Sequence, residues 1–215
     1  MTETLEDWEA WEKYPQHRWV FDKLSLAVCL GHYAGPTPLP VNKTGEYIVR
    51  PIYNLNGMAA GAKIMTLEAG YVYDFPPSYF WCERFIGDHL SVNYKWQGNE
   101  IIETHTSVGE TDYSNLSRFK RWKRIENRNI VLPDWIEEFR DVEEINIEFV
   151  DGHIIEIHLR PGVDFPDGAI EIIPVYSTTA SQEIASLLSQ GYQFEENYMD
   201  AEKNIEDPRL GFLYK

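Results

Sequence analysis

Apolar and polar residues alternate most regularly between positions 145 and 160. Ile145, Ile147 and Phe149 alternate with Asn146 and Glu148. After a short break, Ile155, Ile157 and Leu159 alternate with Glu156, His158 and Arg160. A period of two sends one set of side chains to a buried face and the other to the opposite face, so the stretch predicts strands at 145–150 and 154–160 joined as a hairpin. Burial also selects a register. A three-residue loop, Asp151-Gly152-His153, pairs Phe149 with Ile155, Ile147 with Ile157 and Ile145 with Leu159; a two-residue turn sets Glu148 against Ile155 and mixes the faces.

The rest of the chain mixes helical and strand patterns. Residues 19–30, WVFDKLSLAVCL, carry apolar positions at helical spacing, and Gly31 lies where such a helix would end. GHYAGPTPLPV then breaks regular structure. EYIVRPI (46–52) reads as a strand, followed by a loop with Asn54, Asn56, Gly57 and Gly61. Two more strands are predicted, YFWCERFI at 79–86 and LSVNYKW at 90–96, while 98–117 is polar and has no clear period. A helix is predicted over 133–140, with Pro133 in its first turn and Asp134, Glu137 and Glu138 near its positive end. Another is predicted at 181–190, and an aromatic tail ends in GFLYK. Residues 1–15, acidic and aromatic, predict a short docked helix. There is no internal repeat. Mixed elements with hairpin connections predict an α+β fold with mainly antiparallel sheets.

Composition narrows the function classes. At 43% hydrophobic and 25% charged, the chain predicts a folded protein. Its 35 acids against 19 bases give a net charge of −16, which disfavours non-specific binding to duplex DNA. No apolar run is long enough for a membrane helix, and the acidic start lacks the pattern of a secretory signal. Cys29 and Cys82 show no metal-ligand spacing. A cytoplasmic protein with reduced thiols is the expectation, with no membrane partner.

Candidate chemistry concentrates on the hairpin. Its register sets Glu148 opposite Glu156, with Cβ atoms about 4.5–5.5 Å apart, where like charges destabilise. A divalent cation with oxygen ligands, such as Mg²⁺, would neutralise the pair, and Arg160 on the same face could hold an anionic substrate. A solvated polar face with ordinary Glu–Arg pairing gives the same pattern.

INIEFVDGHIIEIHLRPG resembles the end of an ATP-grasp domain, where an acidic residue and Phe on one strand precede a second strand reading Glu-hydrophobic-Asn-x-Arg. The resemblance implies that Glu148 and Glu156 bind Mg²⁺ and that Arg160 assists substrate or phosphate as the catalytic residue. His158 stands where Asn is usual. A neutral imidazole suits Mg²⁺ less well than an amide oxygen, which implies altered metal preference, contact through water or weakened catalysis. Three further segments follow the family's order. Phe21-Asp22-Lys23 looks like its early Asp-Lys helix, making Lys23 a phosphate candidate. EYIVRP resembles its hydrophobic-hydrophobic-Lys-Pro strand, with Arg50 at the phosphate Lys. NLNGMAAGA lies where the family has a Gly-rich loop over the phosphates, and Lys63 just beyond is a further candidate.

FWCERFIGDHLSV resembles the hinge strand, so backbone near Glu83 and Phe85 would face adenine, and His89 falls at a nucleotide- or ribose-contacting position. The resemblance covers roughly residues 20–165. It implies an N-terminal extension at 1–18 and two small α+β lobes, 19–80 and 81–215, without a preceding substrate domain. It also implies a ligase dependent on ATP and Mg²⁺, activating a small-molecule or peptide carboxylate as an acylphosphate for attack by an amine or thiol. A non-catalytic nucleotide- or partner-binding protein is the alternative. The basic segment 118–128, with Arg118, Lys120, Arg121, Lys123, Arg124 and Arg128 interleaved with Phe119 and Trp122, opens a third reading, contact with nucleic acid. The bland alternative for that segment is pairing with local acids, which 134–144 supplies.

Overall fold

The computed structural model describes residues 5–55, 59–162, 165–166, 168–196 and 207–215. It begins with α1 (Asp7–Lys13), a 3₁₀ helix over Pro15–Phe21, and α2 (Lys23–Cys29). The helix predicted over 19–30 is therefore split at Asp22, whose carboxylate accepts the Ser25 N–H at 2.8 Å and caps α2. The first of two sheets contains β1 (Ala34–Pro36), β2 (Gly45–Pro51), β3 (Lys63–Leu67) and β4 (Tyr79–Glu83), in the order β1-β4-β2-β3. Phe80 and Cys82 on one face of this sheet pack with Ala27 of α2. Tyr47, Val49, Leu67 and Trp81 form a cluster on the other face.

The second sheet has eight strands. These are β5 (His89–Gln97), β6 (Glu100–Thr111), β7 (Phe119–Ile125), β8 (Glu144–Val150), β9 (His153–His158), β10 (Glu171–Tyr176), β11 (Gln193–Glu196) and β12 (Arg209–Tyr214). They lie in the order β11-β12-β10-β7-β6-β5-β8-β9, and every pairing among the described residues is antiparallel. The α+β class is as expected. A helix, α3 (Ser181–Ser189), falls between β10 and β11.

Leu90, Val92, Ile145, Ile147, Phe149, Ile157 and Leu159 form the main core with Ala10, Val20, Phe21 and Leu26 from the first three helices. A fully buried Leu or Phe side chain contributes about 1.5–3 kcal/mol, so this one face anchors the N-terminal helices. Among the described residues no helix is long and apolar enough to cross a membrane.

Three local expectations are corrected. The unassigned 98–117 region contains β6, an interior strand. Its polar positions His105 and Ser107 lie opposite Asn93 and Ser91 of β5, so both faces never read as apolar. The helix expected over 133–140 is a 3₁₀ helix, Asp134–Phe139, with Pro133 as its N-cap.

The third correction concerns the hairpin. Val150 pairs with His153 and Phe149 with Ile154, whereas Glu148 still pairs with Glu156 and Ile147 with Ile157. Asp151 (φ 51°) and Gly152 (φ 78°) form a two-residue turn with positive φ at both positions, the combination that Asp-Gly favours. The register shift between Glu148 and Phe149 leaves Ile155 as the extra residue, a bulge that returns Glu156 to the face of Glu148.

Candidate active site

The polar face of β5, β8 and β9 looks into a cleft of about 1130 Å³, whose other wall includes Ile48 and Arg50 of β2 and Ile64 of β3. Strand alternation places Ser91, Asn93, Asn146, Glu148, Glu156 and His158 on this face, because their neighbours fill the core behind it. Asn146 donates to Ser91 Oγ and Asn93 Oδ1, each at 2.8 Å. Asn93 in turn exchanges hydrogen bonds with the backbone of Gly162 (Nδ2 to O 3.1 Å, N to Oδ1 2.8 Å). A Cβ at Gly162 would lie 2.9 Å from Asn146 Nδ2, so this approach requires glycine. The amide network pins Gly162, beyond β9, against Asn93 of β5.

Glu148 and Glu156 converge on His158. The imidazole Nε2 lies 3.9 Å from Glu148 Oε1 and 3.9 Å from Glu156 Oε1. On its other side Nδ1 meets both oxygens of Asp7 at 3.0 Å, and Arg160 Nε donates to Asp7 Oδ1 at 2.7 Å. Lys23, at the start of α2, is buried and forms an ion pair with Glu156 Oε1. Arg50 Nη1 sits 3.6 Å from Glu156 Oε2, and its Nη2 donates to the carbonyl of Ile155 at 2.9 Å. The bulge at Ile155 thus supplies the acceptor that holds Arg50. Arg50 Nε is buried without a hydrogen-bond partner, and its guanidinium lies over the Phe80 ring. His89 Nε2 bonds Glu148 Oε2 at 3.1 Å.

This arrangement determines the charge states. Burial works to raise the Glu148 carboxyl, but the bond and charge of His89, with His158 and Lys23, outweigh it and hold the pKa at about 2. Glu156 is also opposed by burial and by Glu148, yet Lys23, His158 and Arg50 carry it below the usual carboxylate value. Burial disfavours a charged His158, but Asp7 and then Glu156 raise its pKa above the ordinary imidazole value. Asp7, despite near-complete burial, is held far below the usual range by His158 and Arg160. The repulsion between paired glutamates is therefore relieved within the chain by Lys23, Arg50 and two histidines.

Glu148, Glu156 and His158 each present one donor atom within 4.8 Å of the others, a set of two carboxylates and one imidazole that fits a divalent cation. Arg50, His89, Glu148, Glu156, His158 and Arg160 thus line one cleft, and the buried Lys23 joins them through its ion pair with Glu156. Lys63 is not among them; it is exposed on β3. Glu83 accepts the Tyr33 N–H on its carboxylate (2.7 Å) and donates its own N–H to the Tyr33 carbonyl (2.8 Å). Phe85 stacks on His153 with ring centroids 4.0 Å apart, near the cleft rim.

Asp7 was not visible as a site residue in the sequence. It lies among several acids in a short segment, and its long-range partners His158 and Arg160 leave no local pattern. The basic segment 118–128 contributes β7, but its partners differ from the expected acids of 134–144. Arg118 pairs with Asp207, Lys120 and Arg121 with Glu110, and Arg121 and Lys123 with Glu171.

No protein-family model and no curated protein sequence matches this chain. Solved structures do match. N5-carboxyaminoimidazole synthetase from Staphylococcus aureus, complexed with ADP, aligns at a TM-score of 0.59 and 11% identity, over 94% of this chain and 68% of that one. N5-carboxyaminoimidazole synthase from Aspergillus clavatus, in complex with ADP and 5-aminoimidazole ribonucleotide, aligns at 0.54 and 11% identity over 98% and 74%. An ATP-grasp superfamily protein from Archaeoglobus fulgidus aligns at 0.46 and 14% identity over 76% and 59%. The chain spans between 59% and 74% of the length of these three structures. With 94% and 98% of the chain aligned to the two synthetases, the protein has the ATP-grasp fold.

Proposed function

We propose that this protein is an ATP-dependent ligase that activates a small-molecule or peptide carboxylate as an acylphosphate for attack by an amine or thiol. The observation that carries this reading is the pairing of both Arg50 and Lys23 with Glu156, which stands opposite Glu148 on the hairpin at the cleft wall. Cations opposite paired carboxylates form an environment suited to a nucleotide triphosphate with its metal. The synthetases of like fold were solved with ADP.

In this reading a carboxylate oxygen attacks the γ-phosphorus and ADP leaves. The amine or thiol then adds to the acylphosphate carbonyl, and inorganic phosphate departs with the remaining oxygens. Glu148, Glu156 and His158 would hold the divalent cation, Mg²⁺ by the resemblance, whose charge when bound offsets that of the phosphates. Arg50 keeps its fork fixed on Ile155 and offers Nε towards phosphate oxygen. Lys23 would exchange its carboxylate partner for phosphate. Arg160 stabilises charge on the transferring group, a role commonly worth about 10²–10³ in rate. The free thiols Cys29 and Cys82 accord with the cytoplasmic placement that belongs to this reading.

The test is isotopic. With an ¹⁸O-labelled carboxylate panel, an acylphosphate route transfers label into inorganic phosphate as ADP forms, and Glu156→Gln abolishes both. ADP formation without transfer of label contradicts the route.

A second reading, a nucleotide- or partner-binding protein without catalysis, draws support from the ion pairs of Lys23 with Glu156 and Arg160 with Asp7, which already satisfy the groups a reaction would need. ATP binding without ADP formation across the panel selects it.

A further inference from the structure

The imidazole of His158 has two sharply different sides. Nδ1 faces the Asp7 carboxylate at 3.0 Å, which fixes a proton on that nitrogen. Nε2 faces two carboxylate oxygens at 3.9 Å each. A proton on Nε2 points at these oxygens, of which Glu156 Oε1 also pairs with Lys23, and a cation held by the three donor atoms would take that proton's place. Two metal–ligand bonds of about 2.1 Å span at most about 4.2 Å, so each 3.9 Å separation is within the reach of one shared ion. The carboxylate–imidazole–metal order is also the usual way a protein orients a ligating histidine and raises its basicity.

Resting on the ligase reading, we propose that the cation of this site is a divalent first-row transition ion of the Mn²⁺ type rather than Mg²⁺, ligated by His158 Nε2 together with Glu148 and Glu156, and that Asp7 is a positioning residue that holds the imidazole for it. Mg²⁺ takes oxygen ligands and gains little from an imidazole, whereas a nitrogen donor raises affinity for the transition ions. The N-terminal helix thereby becomes part of the site: α1 is docked through Ala10 in the main core and delivers Asp7 to the back of His158.

The experiment uses the full chain with MnCl₂ and MgCl₂ and no nucleotide. Calorimetry is expected to show Mn²⁺ bound at least about tenfold more tightly than Mg²⁺. Electron spin-echo modulation of the bound Mn²⁺ is expected to show one imidazole nitrogen, with the pattern changing when the unsubstituted chain carries ¹⁵N-histidine. His158→Asn should erase the nitrogen signal and bring the two affinities to within a few-fold. Asp7→Asn should retain the nitrogen signal and weaken Mn²⁺ roughly 10- to 100-fold.

Mn²⁺ bound without nitrogen coupling, Mg²⁺ held as tightly as Mn²⁺, or no metal binding overturns the proposal, and the labelled unsubstituted chain decides this even where a variant does not fold. A separate ATP titration keeps the two readings apart. Nitrogen-ligated Mn²⁺ with no ATP binding removes the ligase reading alone, and ATP binding with no nitrogen on the metal removes this inference alone.

Discussion

Asp7 Oδ1 accepts the Arg160 Nε–H at 2.7 Å and lies 3.0 Å from His158 Nδ1, joining α1 to a strand residue 151 positions later. Asp7 is nearly inaccessible, so its charge is supported by these two partners rather than by water. Removing one member of a buried pair leaves the other uncompensated, at a cost of about 3–5 kcal/mol. Asp7→Ala is therefore expected to lower unfolding stability by that order, measured by urea denaturation without metal. A change below about 0.5 kcal/mol would show that the contact is not held in solution.

The sequence disclosed the hairpin faces because each strand has a core behind it, and a period of two follows directly from that. It did not disclose the turn, because local turn chemistry at Asp151-Gly152 competed with the hydrophobic register, and a bulge at Ile155 satisfied both. Arg50 and Lys23, which the fold brings to Glu156, were singled out by the resemblance and its order along the chain, whereas Asp7 was not. Its role depends on tertiary docking of α1, and nothing in EDWEAW distinguishes one acid from the next. β6 was missed for a related reason: a strand facing a polar cleft shows no apolar alternation.

The close approach at Gly162 makes a second prediction. A methyl group there would crowd Asn146 Nδ2 at 2.9 Å and Asn93 Oδ1 at 3.1 Å. Gly162→Ala should cost about 1–3 kcal/mol by overpacking, with the loss read in thermal unfolding. An unchanged transition would mean the loop does not rest on the amide network.

Acid sensitivity should be traceable to Glu171 on β10. Burial opposes its ionisation, but the Tyr192 hydroxyl, Lys123 and Arg121 prevail and hold its carboxyl below the ordinary carboxylate value. A depressed carboxylate contributes stability that is present above the unfolded value and lost as pH falls through the folded one. Glu171→Gln is expected to remove that part of the acid limb in a stability–pH series between about pH 5 and 2. An identical acid limb in the variant would contradict the assignment.

Arg50 separates phosphate binding from simple charge pairing. Its fork is fixed by the Ile155 carbonyl, and hydrogen bonds to charged groups contribute about 1.5–3 kcal/mol. Arg50→Ala should therefore weaken ATP by about 10- to 100-fold, with Arg50→Lys intermediate because a point charge cannot reproduce the fork. Equal binding by Lys and Arg would assign the residue to electrostatics alone.

The most direct measurement is a calorimetric titration of the full chain with ATP in the presence of a divalent cation. The account predicts saturable binding at one site, weakened about 10- to 100-fold in Arg50→Ala and unchanged in the exposed-lysine control Lys63→Ala. A titration with no heat of binding, or one unaffected by Arg50→Ala, would contradict a nucleotide site in this cleft.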